Sequence, residues 1–196
     1  MFRKSLVSMS TVALLMFAVS LATCTPVFAA DRDHAQDDKT LKVDVAIDAA
    51  TFSPNNNDPS DPSNPKRGTT FIVTGKIFPA GTIPPGVTSF DPNQPGSIGL
   101  WACRGVFLAD LADIMSGKAK HAFDTTQLFF FPDDNNLIAV EGIEGSVGVT
   151  TQRVILGGTG MFTGVSGTAS QETIGLNQNG NGLFDLRFTL NLKRAD

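Results

Sequence analysis

Tyrosine is absent from the 196 residues, tryptophan occurs once, and histidine and cysteine occur twice each. This scarcity removes whole classes of chemistry. Cys24 lies in the N-terminal segment read below as a removable signal, so two histidines (His34 and His121) and one remaining cysteine (Cys103) make no zinc cluster, and no metal is expected. A Ser–His–Asp triad needs a rigidly held imidazole; His121 starts a predicted strand, whereas His34 lies in a polar N-terminal stretch. Basic residues are also few: 15 Lys and Arg stand against 19 Asp and Glu, without a basic cluster. That balance leaves no electrostatic footprint for nucleic acid.

Long apolar runs are missing everywhere except at the start. Arg3 and Lys4 precede an apolar stretch, densest over 12–22, that ends in Pro26-Val27-Phe28-Ala29-Ala30. This is the three-part layout of a cleavable signal peptide over residues 1–29. Cutting after Ala29 places Val27 and Ala29 at the recognised positions; cutting after Ala30 would place bulky Phe28 there. An uncleaved anchor fits less well, because serines and threonines dilute the stretch. Lipoprotein anchoring at Cys24 is the other alternative, although Thr23 stands where a smaller residue is usual. The chain is therefore expected in a secreted or periplasmic compartment, with no membrane span once the signal is removed. Removal of Arg3 and Lys4 takes the formal net charge from −4 to −6 and leaves Cys103 as the sole thiol. With no internal disulfide, stability must come from a packed core or from subunit contacts.

After a flexible tail over 30–40, residues 41–196 read as one all-β domain. Eight runs carry β-type patterning: 41–49, 69–78, 97–109, 121–131, 137–143, 145–156, 164–176 and 183–192. The last alternates strictly, with Phe184, Leu186, Phe188, Leu190 and Leu192 on one face and Asp185, Arg187, Thr189 and Asn191 on the other. The first alternates likewise, with Val43, Val45 and Ile47 opposing Lys42, Asp44 and Asp48. The third and fourth runs are apolar on both faces and need cover on both sides, which predicts a homo-oligomer. One short helix is expected within 108–116. Segments 132–136 and 177–182 have turn chemistry. Loops rich in Pro or Gly fill 53–68 and 78–96. The first of these holds Asn57, Asp58 and Asp61, whose spacing fits a solvated turn rather than a calcium loop. Such patterning predicts a sandwich or a barrel without choosing between them.

The most distinctive segment is Gly157-Gly158-Thr159-Gly160-Met161-Phe162-Thr163-Gly164-Val165-Ser166-Gly167. It reads as a strand, a tight glycine turn anchored by Phe162, and a second strand. Neither Gly-Lys-Ser/Thr nor a predicted helix follows it, so it is not a phosphate cradle. The segment resembles the glycine signature of the allene oxide cyclase and dirigent barrel superfamily. Thr163 and Ser166 occupy positions where dirigent proteins usually carry arginine, which places the chain nearer the allene oxide cyclase-like branch with its exported bacterial members. The resemblance implies a calycin-like, eight-stranded antiparallel β-barrel, often trimeric, with an apolar lumen. It also implies cofactor-free handling of reactive hydrophobic intermediates.

Strand-borne polar residues in apolar surroundings are the candidate catalytic groups: Arg104, Gln127, Glu141, Arg153 and Glu172. Glu141 and Arg153 come first, as they lie on consecutive predicted strands. Trp101, Cys103, Phe107 and Phe129 are the candidate ligand-binding wall. Three functions fit these features: a carrier of a small hydrophobic molecule, a cofactor-free cyclase or isomerase, or a structural barrel filled by its own side chains. The contents of the lumen separate them. An inward Glu or Arg beside open space favours chemistry, a purely apolar space favours binding, and a plugged lumen favours structure.

Overall fold

Alternating runs of this length close on themselves. In the computed structural model, which describes residues 38–55, 64–87, 89–133, 135–145, 149–176 and 184–194, eight strands form one closed antiparallel barrel in sequence order. They are β1 (Lys39–Asn55), β2 (Thr70–Pro79), β3 (Gly99–Phe107), β4 (His121–Phe130), β5 (Leu137–Gly145), β6 (Thr151–Gly158), β7 (Val165–Leu176) and β8 (Phe184–Arg194). Each strand pairs with its sequence neighbour, and β1 closes the ring on β8 through a register that sets Val43 against Phe188 and Val45 against Leu186. The signal-like segment, the oxygen-bearing residues Asn57, Asp58 and Asp61, and the 177–182 turn lie outside the described residues.

Several boundaries differ from those the patterning predicts. β1 begins at Lys39 and runs on to Asn55, with a register shift between Asp48 and Ser53. Ladder pairing with Thr70 and Phe71 thus claims residues whose proline and asparagine content reads as loop. β5 extends to Gly145, two residues past the predicted end, and β6 starts only at Thr151. The helix α1 (Leu111–Met115) is a little over one turn and buries Ile114.

Period-2 alternation supplies the core. Val43, Val45, Val73, Ile77, Trp101, Phe129, Ile138, Val140, Ile155, Ala169, Leu186, Phe188 and Leu190 are all buried in one cluster inside the ring. Phe129 meets Phe188 edge-on across the lumen, with ring centroids 5.0 Å apart. Packing of this kind fills one half of a barrel this narrow.

The glycine segment does what its spacing requires. Thr159–Thr163 forms a single tight turn around the 3-10 element Gly160–Phe162, and the buried Phe162 ring rests on Phe131. Gly167 has φ +136°, and a Cβ there would collide with the Asn191 carbonyl oxygen of β8. Only glycine lets β7 and β8 approach at this point.

A second, smaller core lies outside the ring. Residues 79–87 form a strap that leaves β2 and crosses the outer wall, burying Ile83 with Ala46, Phe78, Phe90 and Ile174. An ion pair fixes the strap. Asp44, fully buried, accepts from Arg187 Nε at 2.7 Å and Nη2 at 3.0 Å, and from the backbone N–H groups of Gly81 (2.8 Å) and Ile83 (3.0 Å). Bidentate pairing of this type is the strong form of a charge-assisted bond.

Gly167→Ala is expected to destabilise the barrel by roughly 3 kcal/mol, combining a strained φ with a backbone clash. Gly164→Ala, at φ +77° with open space around it, should cost only about 1 kcal/mol. Urea unfolding of the two variants measures the difference, and equal losses would contradict the close β7–β8 approach.

Candidate functional site

The other half of the lumen is open. A cavity of about 260 Å³ lies at the end of the barrel where β1, β3 and β5 finish and β2, β4 and β8 begin. Its wall is apolar and largely aromatic: Phe52, Phe71, Trp101, Phe107, Phe123 and Phe184, with Ile47, Val73 and Ile114 between them. Phe71, Phe107 and Phe123 pack edge-to-face at centroid distances of 4.9–5.4 Å. The helix α1 contributes Leu111, Ile114 and Met115 as a partial lid.

Two side chains break the apolar wall, Cys103 and Glu144. Strand parity puts Glu144 there: Ile138, Val140 and Gly142 precede it on the inner face of β5. Glu144 is held by a polar cluster that continues behind the cavity. Its Oε1 accepts from Gln127 Nε2 at 2.6 Å, from Thr125 Oγ1 at 2.9 Å and from Cys103 Sγ at 3.8 Å. Arg153 Nη1 lies 3.9 Å from the same oxygen. Oε2 has no partner among the described residues, so Glu144 is anchored through one oxygen and offers the other.

Arg153 is the counter-charge. Its side chain is wholly buried, and Nη2 donates to Thr125 Oγ1 (2.7 Å) and to the Thr125 carbonyl (2.9 Å). Gly142 makes room for it: with φ +151° and no side chain, its position for a Cβ lies only 3.3–3.4 Å from Arg153 Cα, Cβ and Cγ. Burial lowers the guanidinium pKa, and the nearby Glu144 charge acts against that shift. The Cys103 thiol is pushed well up, first by burial and then by Glu144. It is therefore a weak donor to the carboxylate and a poor nucleophile. Gln127 also donates from Nε2 to Gln171 Oε1 at 3.0 Å, tying β4 to β7 across the interior.

The structure divides the sequence candidates by face. Gln127 and Arg153 point inward and belong to the cluster. Trp101, Cys103 and Phe107 line the cavity, whereas Phe129 sits deeper, against Phe188. Arg104 and Glu141 lie on the outer wall, where both border a shallow groove with Ile72 and Thr126. Glu172 is exposed on the outer face, opposite Arg187. Glu141 and Arg153 are thus on opposite sides of the sheet, and the acidic partner of Arg153 is Glu144. Sequence reasoning missed Glu144 because the predicted strand stops at Ile143; two further residues of alternation would have placed it beside Val140. Among the described residues no group of three or more His, Cys, Asp or Glu is placed to hold a metal ion.

Among solved structures, two pterocarpan synthase dirigent proteins share this geometry. One superposes with TM-score 0.61 at 9% identity, covering 82% of this chain and 87% of its own. The other gives 0.60 at 10%, covering 82% and 98%. This chain has the dirigent-type barrel fold. A pyocyanin demethylase is a further neighbour, with TM-score 0.50 at 15% identity over 79% of this chain and 99% of its own. No protein-family model matches the sequence, and no curated protein matches it. At these identities the likeness establishes the dirigent-type fold alone, and it agrees with the barrel superfamily that the glycine segment resembles.

Removing one charge of the buried pair should be costly. Arg153→Met is expected to destabilise the protein by roughly 3 kcal/mol, since it leaves Glu144 without its counter-charge. Adding Glu144→Gln should recover part of that loss. Chemical denaturation of the single and double variants measures the coupling, and additive losses would rule out an electrostatic link between the two.

Proposed function

We propose that this protein is an exported barrel that binds a small hydrophobic molecule carrying one polar hydrogen in the cavity at its mouth. The observation that carries this reading is the state of Glu144. One oxygen is saturated by protein donors and the other is left free on an otherwise apolar wall. A cavity of about 260 Å³ is at the small end for ligand sites, and a hydrophobic hole of about 150 Å³ accommodates benzene. The size therefore fits one or two rings. An open mouth favours a ligand role over a barrel filled throughout. The names of the fold neighbours, two pterocarpan synthases and a pyocyanin demethylase, agree with a small-molecule role.

The same free oxygen favours a second reading, a cofactor-free isomerase or cyclase. A carboxylate fixed through Oε1 can take a proton from a bound carbon acid at Oε2 and return it to a different atom, leaving substrate and enzyme in balance. Arg153 and Gln127 would act by positioning Glu144. The aromatic wall would hold one reactive conformation of the substrate.

Trp101 is the sole tryptophan of the chain and lines the cavity, so its fluorescence reports occupancy. Both naphthalene and 2-naphthol should quench it in wild type. Glu144→Gln should weaken 2-naphthol about tenfold and leave naphthalene nearly unchanged. Ala49→Phe should abolish both by filling the cavity. Absence of any response at millimolar ligand, or full binding by Ala49→Phe, would sink the binding reading. For the second reading, Glu144-dependent exchange of the α-protons of 2-tetralone in D2O, followed by NMR, is the expected signal.

We also propose that copies of this chain associate through the outer wall of β3–β6. Leu100, Val154 and Leu156 are each at least half exposed there, beside half-buried Leu128, Phe130 and Leu137. The ranks Leu100–Phe130–Leu137 and Ala102–Leu128–Ala139 form an apolar face of the kind that proteins cover, with Leu156 alongside and Val154 at its edge in the rank of Glu141, Thr126 and Arg104. A homo-oligomer, a trimer by the resemblance, covers it with the same surface from other copies. Leu100→Glu with Leu156→Glu should convert the assembly to monomers in light scattering, and an unchanged mass would place the interface elsewhere.

A further inference from the structure

One carboxyl group has no part in the lumen. Asp185 is fully buried on the outer wall, and neither of its oxygens has a hydrogen-bond partner among the described residues. It stands on β8 between Ala46 of β1 and Gly175 of β7. The strap covers both neighbours. Ala46 packs with Ile83 and Phe78, and the Val87 carbonyl oxygen lies 2.6 Å from where a Cβ on Gly175 would be. The Gly86 N–H donates to the Ile174 carbonyl at 2.7 Å, which fixes the far end of the strap to β7.

The charges around Asp185 do not neutralise it. Arg187, two residues along β8, gives its donors to Asp44 and to the Ile83 carbonyl. From β1 Asp44 faces Asp185 as a second carboxylate, with Asp48 further along the same face. β7 contributes Glu172, opposite Arg187. β2 contributes Lys76, in the rank of Ala46. Residues 79–87 of the strap carry no titratable side chain. Burial, and then Asp44, push the Asp185 carboxyl up to about 7. A buried carboxylate without donors is costly, and water is its nearest remedy.

We propose that Asp185 is a proton-operated latch on the strap: protonated it stays covered, and ionised it draws in water, lifts residues 79–87 and loosens the start of β8. Phe184, the next residue back, lines the cavity mouth. The latch therefore regulates entry to the lumen, and this consequence rests on the binding reading above, whereas the latch itself does not. The sign follows from linkage. The folded carboxyl titrates above its unfolded value, so the folded state holds the extra proton. Closure is tightest in acid, weakens as pH rises towards about 7, and is level above it.

Hydrogen exchange of the Gly81, Ile83 and Gly86 amides between pH 5.5 and 8.5 tests the latch. In wild type their protection factors should fall up to about tenfold per pH unit from 5.5 to about 7 and level off above it, and in Asp185→Asn they should stay level throughout. The carboxyl carbon shift of Asp185 in wild type gives a check that needs no variant. Titration near 7 is expected, and titration near 4, or pH-independent protection in wild type, overturns the proposal. Release of naphthalene, read on Trp101, should quicken between pH 6 and pH 8 in wild type and not in Asp185→Asn. If naphthalene binds at neither pH, the lumen reading fails while the exchange data still decide the latch. If it binds with the same release rate at both, the coupling to the lumen is overturned.

Discussion

Pairing of β1 with β8 is the interaction on which the rest depends. A meander of eight strands has two free edges until its ends meet, and those edges invite pairing with other chains. Closure removes them and defines an inside. Every inward residue is then forced into one small volume, which makes parity along each strand decisive. The hydrophobic set fills half of that volume, and the ring of Phe71, Phe107 and Phe123 bounds what is left. The polar cluster around Glu144 sits where the two halves meet.

That location explains the composition of the cluster. A lone carboxylate on an apolar wall would be costly to ionise. Arg153 supplies the charge, Gln127 and Thr125 supply short bonds, and Gly142 leaves the space through which the guanidinium stem runs. None of these groups alone would keep a carboxylate fixed beside open space. Together they commit one oxygen and leave the other, so that the proposed binding and proton transfer would depend on the same arrangement.

Much of the barrel was legible in the sequence, because alternation and turn chemistry are local. The eight β-type runs marked the strand count, and the resemblance carried by the glycine segment pointed to an antiparallel barrel, which the structure shows. The inward setting of Gln127 and Arg153 follows from parity once the strands are known. Glu144 was hidden by a boundary error, since it fell between a predicted strand ending at Ile143 and the next one starting at Gly145, whereas β5 runs on to Gly145. Asp44 and Asp185 were hidden for a different reason. Alternation marks them as outward and therefore wet, yet a proline-rich strap docks over them and buries both. Loop docking is a tertiary event that leaves no period in the sequence. The pairing of Arg153 with Glu144 rather than Glu141 likewise required the face of each residue to be known.

The nearest-neighbour topology has a consequence for how the chain is made. Seven of the eight strand pairings join consecutive segments and can zip up hairpin by hairpin. The eighth joins residues as far apart as Lys39 and Leu192, a separation of 153 positions. Loop entropy and contact order put such a contact late. During synthesis β1 therefore waits with one edge bare until β8 has been made. A chain that lacks β8 cannot close the ring, and that strand acts as the completion signal for the whole fold.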